Sequence, residues 1–117
     1  RTNTPLQALV MMNDPVYIEA AQALGRRMAK ADGDVADKLQ FGFQQCVSRP
    51  PTEKEVHRLV ALYDNARKRY ANVPTRAEKM ATNPLGPLPQ GADPAEYAAW
   101  TIVGNVLLNL DEMFMRR

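Results

Sequence analysis

The chain contains very few of the side chains that usually carry metal or covalent chemistry. It has one cysteine, Cys46, and one histidine, His57, among 117 residues. A single cysteine cannot form a disulfide within the chain, and it cannot supply both cysteines of a CxxCH haem attachment site. A zinc site would have to rely on carboxylates, which fit the ion's preference for nitrogen and sulfur ligands poorly. The sequence therefore predicts neither a metal site nor a cofactor in this chain.

The two scarce residues also make a poor catalytic pair. Cys46 lies among the apolar residues Phe43 and Val47, which favours a buried and unreactive thiol. His57 follows Glu53 by one helical turn, a spacing that favours an exposed pair. A Cys–His pair would require the fold to bring both side chains together. No glycine-rich phosphate loop, nucleophile elbow or other catalytic motif is present, so the sequence assigns no enzyme class.

Long apolar runs and an excess of one charge are also missing. No apolar run approaches the roughly 20 residues that span a bilayer, and nothing after Arg1 resembles a signal peptide. The chain has fifteen Lys and Arg and thirteen Asp and Glu, a net charge of +2. This charge gives little reason to expect a nucleic-acid partner. The densest basic cluster, residues 67–69 with Arg58 and Arg76 nearby, is interpreted as a solvated helix end rather than a phosphate-binding patch.

Helix-start signals recur along the first half of the chain, whereas no strand pattern appears. Thr4-Pro5 and Asp14-Pro15 each pair a capping side chain with a proline suited to the first helical turn. They predict a short helix that ends before Asp14 and a second helix that runs to about Lys30. Gly33 suits a left-handed turn, and Asp34 then caps a third helix.

The "SRPPTEKE" segment ends the third helix and begins the fourth. Thr52 and Glu55 have capping-box spacing, and the apolar pattern after them continues to Tyr70 or Ala71. Arg49 before the two prolines is either a buried ion-pair anchor or a surface residue. Gly42 in the third helix predicts a close approach of a neighbouring helix.

Residues 72–93 are rich in proline and glycine and predict mostly loop. Thr75 and Glu78 have capping-box spacing, enough for one short helix there. Asp93 and Pro94 then begin the last and most apolar helix, which we expect at the centre of the bundle. The whole pattern predicts an all-α fold: residues 1–117 form a single helical domain, a compact bundle of about five helices with a Pro/Gly-rich loop before the last one.

The last helix ends in a polar cluster after an apolar run. Asp111 and Glu112 are adjacent and so point about 100° apart on a helix, which is poor geometry for a shared metal or an acid–base pair. We interpret Asn109, Asp111 and Glu112 as a helix end that contacts a neighbouring cap or Arg1. Trp100, on the same helix, either packs in the core or stacks on a sugar; the apolar surroundings favour the core.

Three segments together resemble a known family. "RTNTPLQALVMMNDPVYIEAA" at residues 1–21, "SRPPTEKE" at 48–55 and "YAAWTIVGNVLLNLDEMFMRR" at 97–117 are similar, in the right order, to the DUF1553 family, also called PSD1, of large planctomycetal proteins. The resemblance spans essentially this whole chain but only about the C-terminal half of the family's domain. It implies that the chain is a C-terminal fragment of a longer DUF1553 domain.

The resemblance also implies a setting. Members usually carry a DUF1549 domain upstream, and often a cytochrome c-like domain with haem c. Such proteins are exported, which implies a periplasmic or cell-envelope location. No activity is established for the family, so no catalytic residue carries over. The resemblance and the polar clusters give one set of candidate interaction residues: Asn3, Gln7, Asn13, Asp14, Asn109, Asp111 and Glu112.

Two functional hypotheses remain open from the sequence. In the first, the chain is a non-catalytic scaffold or docking subdomain of an exported multidomain protein, and its partner is the missing N-terminal part of its own chain. In the second, it is part of an enzyme or binding protein for complex polysaccharide, with Asn3, Asn13, Asp111 and Glu112 lining a cleft. We favour the first, because most of the residues that match the family have capping or packing roles, while Asn3, Gln7 and Asn13 are left without a complete local explanation.

Overall fold

A computed structural model describes residues 15–115, with side chains from residue 17 to residue 110. The short helix predicted to begin at Thr4 lies outside this range. Residues 15–115 form five α-helices and no β-strand, which confirms the all-α prediction. The helices are α1 (Pro15–Lys30), α2 (Val35–Cys46), α3 (Glu53–Ala71), α4 (Pro74–Thr82) and α5 (Pro94–Met115).

Two reciprocal capping boxes fix the starts of α2 and α3. Asp34 accepts a bond from the N–H of Asp37 at 2.9 Å, and the Asp37 carboxylate accepts one from the Asp34 N–H at 3.1 Å. Gly33 precedes this cap with φ +102°, the left-handed turn that its position predicts. Thr52 and Glu55 exchange the same pair of bonds at 2.8 and 3.2 Å, as their spacing predicts.

The start of α4 differs from the prediction. The helix runs from Pro74, and its cap residue Val73 makes no side-chain capping bond. Thr75 therefore lies inside the first turn, and the predicted Thr75–Glu78 capping box is wrong. Proline already has the backbone angle of a first helical residue and lacks the N–H that a cap would satisfy, so Pro74 sets the start of the helix.

The last helix is the centre of the bundle, as its apolar sequence predicts. α5 contacts each of the other four helices. Its side chains Trp100, Val103 and Leu107 are fully buried. The ring of Trp100 lies 4.4 Å from the ring of Tyr63 on α3, centroid to centroid. The side chain of Asp93 accepts a bond from the N–H of Ala95 at 3.1 Å and so caps the start of α5.

Two glycines bring α1 and α5 into backbone contact. A Cβ atom on Gly104 would lie 2.5 Å from the carbonyl oxygen of Ala21, and one on Gly25 would lie 2.9 Å from the carbonyl oxygen of Trp100. The two contacts run in opposite chain directions, so the helices are antiparallel. Gly42 on α2 allows a similar approach, but there the neighbouring atoms belong to the side chains of Met28 and Leu107.

Candidate functional site

Most of the polar residues singled out from the sequence lie outside the described side chains. Asn3, Gln7, Asn13 and Asp14 precede the described range, and Asp111 and Glu112 lie on the last turns of α5 without described side chains. The antiparallel contacts between α1 and α5 place the start of α1 and the end of α5 at the same end of the bundle.

Asn109 is the described member of the predicted set, and it is buried. It is 5% exposed, and its side-chain amide donates to the carbonyl of Asn105 at 3.0 Å. Thr101, one turn further back, donates in the same way to the carbonyl of Tyr97 at 2.9 Å. These polar residues recur every fourth position, so they form one buried stripe that bonds in part to the backbone of its own helix.

Trp100, the other candidate, has no exposed surface. It is 0% exposed and packs among residues of α3 and α5. No face of the indole is available to stack on a sugar in this arrangement. The predicted core position agrees with the structure.

A polar site that the sequence analysis missed lies between α1 and the segment after α4. Gln22 is fully buried. Its amide nitrogen donates to the carbonyls of Met80 at 2.6 Å and Asn83 at 3.0 Å, and its oxygen accepts from the N–H of Leu85 at 3.1 Å. Both polar atoms of the side chain are thus used on backbone groups, which offsets the cost of burying them.

Arg26, one turn further along α1, continues this site. Its guanidinium donates to the carbonyls of Ala81 at 3.1 Å, Pro87 at 3.0 Å and Gly86. We call Gln22 and Arg26 the carbonyl clamp, because they hold backbone carbonyls from the end of α4 and the loop after it. The sequence signal was present: two polar side chains one turn apart border an apolar helix face.

Arg49 is an exposed ion-pair anchor rather than a buried one. Two guanidinium nitrogens donate to the two carboxylate oxygens of Glu55, each at 2.9 Å, although 41% of the arginine side chain is exposed. The guanidinium also lies 5.2 Å from the ring centre of Phe43 on α2. The bonds from Arg49 lower the pKa of Glu55 to about 2, and the backbone bond from Thr52 acts in the same direction. The pair therefore links α2 to the capping box of α3.

The two scarce residues, Cys46 and His57, lie on different helices, α2 and α3. Cys46 is half-buried, not buried as expected, because it is the last residue of α2. His57 and Glu53 are both exposed on α3. Among the described residues, no group of three or more His, Cys, Asp or Glu side chains has the arrangement of a metal site. No helix in the described part of the chain is long and apolar enough to cross a bilayer.

Surface hollows meet around Tyr70, near the end of α3. One of about 290 Å³ is lined by Ile18, Met80 and Tyr70, together with polar or charged residues at its edge. A second, of about 210 Å³, lies between α3 and α5 and shares Tyr70. Burial raises the pKa of Tyr70, and the neighbouring cations Arg69 and Arg76 oppose that shift. The phenol is therefore neutral at pH 7.

Comparison with known proteins gives one family. The family model described as PSD1, Protein of unknown function (DUF1553), matches residues 1–63, more than half of the chain. The matched part includes α1, α2 and α3 as far as Tyr63. No curated protein and no solved structure matches the chain.

Proposed function

The chain belongs to the PSD1 family of proteins of unknown function, and we propose that it is a non-catalytic scaffold or docking subdomain. The carbonyl clamp is the observation that carries this proposal. Gln22 and Arg26 donate five side-chain hydrogen bonds, and the acceptors are all backbone carbonyls of the protein itself. A buried amide whose donor and acceptor are both satisfied by the fold acts on the fold rather than on a substrate.

The central helix supports the same proposal. Its polar residues Thr101 and Asn109 donate to backbone carbonyls of the helix, and Trp100 is enclosed in the core. The interior of the bundle thus serves packing. A helical unit whose interior serves packing would act within a larger protein by binding other domains through its surface.

The proposal includes the setting that the family resemblance implies. The unit supports the upstream part of its own parent protein, an exported, periplasmic or cell-envelope protein that includes a c-type cytochrome domain. Haem c would be attached in that other domain, since Cys46 is the one cysteine of this chain and covalent attachment uses two.

Calorimetry of the full-length parent protein tests the docking. A docked unit unfolds together with the domain it supports, so a destabilising change inside it lowers a shared transition. Gln22→Leu, which breaks the carbonyl clamp, should lower the melting temperature of that shared transition, whereas Gln45→Leu on the exposed face of α2 should not. A separate small transition that moves alone, with the rest of the profile unchanged, would contradict docking.

Sugar binding tests the competing hypothesis. Chemical-shift titration of the 117-residue protein with neutral and acidic oligosaccharides should give no saturable change. Saturable binding that is lost in Asp111→Asn with Glu112→Gln would instead establish a polysaccharide site and refute the scaffold proposal.

A further inference from the structure

Tyr70 lines three surface hollows, and two of them have mainly apolar linings drawn from α1, α3, α4 and α5. We call these two hollows together the Tyr70 groove. Its apolar lining comes from Ile18, Leu62, Ala66, Tyr70, Met80, Ile102 and Val106. Several of these side chains are only half-buried, so the groove leaves apolar surface in contact with water. Surface of this kind, when it is contiguous and concave, marks an interaction site.

Cations surround the groove. Arg69 lines the hollow on the α5 side, and Arg76 with Lys79 lines the hollow on the α1 side. All three side chains are exposed, and none is paired with a carboxylate of the described residues. The linings of both hollows include no Asp or Glu. The charged side chains in these two linings are therefore all basic, whereas Asp93 lines the third hollow at Tyr70.

We propose that the Tyr70 groove binds an acidic amphipathic peptide segment of a partner protein. Its large apolar side chains would cover the floor at Ile18, Tyr70 and Met80, and its Asp or Glu residues would pair with the cations at the rim. This is the arrangement by which an amphipathic helix binds in a groove, with charge complementarity setting the register. The inference rests on the proposed docking function and adds a second docking partner, separate from the upstream part of the parent protein.

The lining favours a peptide over an acidic polysaccharide. A sugar ring needs several side-chain hydrogen bonds in addition to a stacking aromatic ring, because its hydroxyl groups lose water on binding. The polar uncharged side chains in the two linings are Asn65 and Asn83, one in each hollow. An anionic sugar would pair with the rim but would leave the apolar floor without a matching surface.

Selection of peptides on the 117-residue protein tests the proposal. A random peptide library is displayed and enriched on immobilised wild-type protein, and enriched peptides are synthesised for titration. We expect sequences that combine Asp or Glu with Leu, Ile or Phe, and an affinity that falls as salt is raised. The amide signals of Tyr70 and Met80 should shift on binding.

A matched pair of double variants isolates the rim. Arg76→Glu with Lys79→Glu reverses the rim charge and should weaken peptide binding by at least about tenfold. Lys54→Glu with Arg58→Glu makes the same change in net charge on exposed residues of the first turns of α3, and should leave the affinity within about twofold. Circular dichroism of both variants checks that the fold is retained.

Three results would overturn the proposal: no enrichment above background, enriched peptides that are basic, or equal weakening by the two double variants. Shifts at Tyr70 with oligogalacturonate but with no enriched peptide would assign the groove to acidic sugars instead. If the peptide experiment fails while the parent protein still shows a shared calorimetric transition, the docking function holds but this groove does not bind a peptide. Failure of the docking function would instead appear as the separate transition described above.

Discussion

The crossing of α1 and α5 makes a strong prediction about Gly104. A methyl group at this position would lie 2.5 Å from the carbonyl oxygen of Ala21. That oxygen is part of the backbone of a helix, so it cannot turn aside as a flexible side chain would. Gly104→Ala therefore requires the two helices to move apart, which opens contacts along their whole interface.

Two opposing terms set the size of the effect. Alanine is favoured over glycine inside a helix by about 1 kcal/mol, which stabilises the variant. Overpacking a well-packed interface costs about 1 to 3 kcal/mol, and a contact against rigid backbone belongs at the upper end of that range. The expected net loss is about 2 kcal/mol of unfolding free energy. For a chain of this size it corresponds to a fall in melting temperature of roughly 6–12 °C.

Urea unfolding followed by fluorescence of Trp100, the one tryptophan of the chain, measures this loss. Gly42→Ala is the matched control. Its new methyl group would meet the sulfur and Cγ of the buried Met28 side chain and the Cδ1 of Leu107. These are side-chain atoms rather than helix backbone, so we expect a smaller loss than for Gly104→Ala. The close crossing of α1 and α5 would be refuted if Gly104→Ala were as stable as wild type, or if the two variants lost the same free energy.

Three further changes test other parts of the fold. Gln22→Leu leaves two carbonyls and one N–H without their partner, so it should lower the free energy of unfolding by about 3 kcal/mol. Hydrogen exchange at the Leu85 amide should become faster, and unchanged exchange would contradict the carbonyl clamp. Glu55→Gln should cost about 1 kcal/mol at pH 7 after allowance for solvent screening. Because the pKa of Glu55 is lowered from 4.5 to about 2, its charged form stabilises the fold above pH 4.5. The difference from wild type should therefore shrink as pH falls from about 5 towards 2 in acid unfolding curves. Burial raises the pKa of Tyr63 to about 12, so its neutral form stabilises the fold fully below pH 10 and progressively less up to about pH 12. Tyr63→Phe should abolish the step in tyrosinate absorbance near pH 12. If the step persists in this variant, it belongs to another tyrosine.

The starts of the helices could be predicted because their causes are local. A capping box such as Thr52–Glu55 needs only residues one turn apart, and both of its bonds are present. The turn at Gly33 likewise depends on a backbone angle that glycine adopts easily. The failure at Thr75 has a local cause too. Two start signals overlapped, and Pro74 prevailed because its ring fixes the backbone one residue earlier.

The carbonyl clamp and the glycine crossing could not be predicted because their partners are distant in sequence. Gln22 bonds to a carbonyl 61 residues away, and nothing near it identifies Asn83 as the acceptor. Gly25 and Gly104 look like weak points in two helices until the helices are placed against each other. A glycine inside a helix signals a close approach, as Gly42 did, but it does not identify the neighbour. The candidate site was least predictable for this reason, since its surface joins four helices.

The carbonyl clamp and the Tyr70 groove are parts of one arrangement. Gln22 holds the backbone carbonyl of Met80, and the side chain of the same methionine lines the groove beside Ile18. Ile18 lies one turn before Gln22 on α1, so the clamp and the hollow lined by Ile18 and Met80 both involve α1 and α4. The buried amide thus connects these two helices beside that hollow. In the docking function that we propose, Gln22 would therefore support the binding surface from below without contacting the partner.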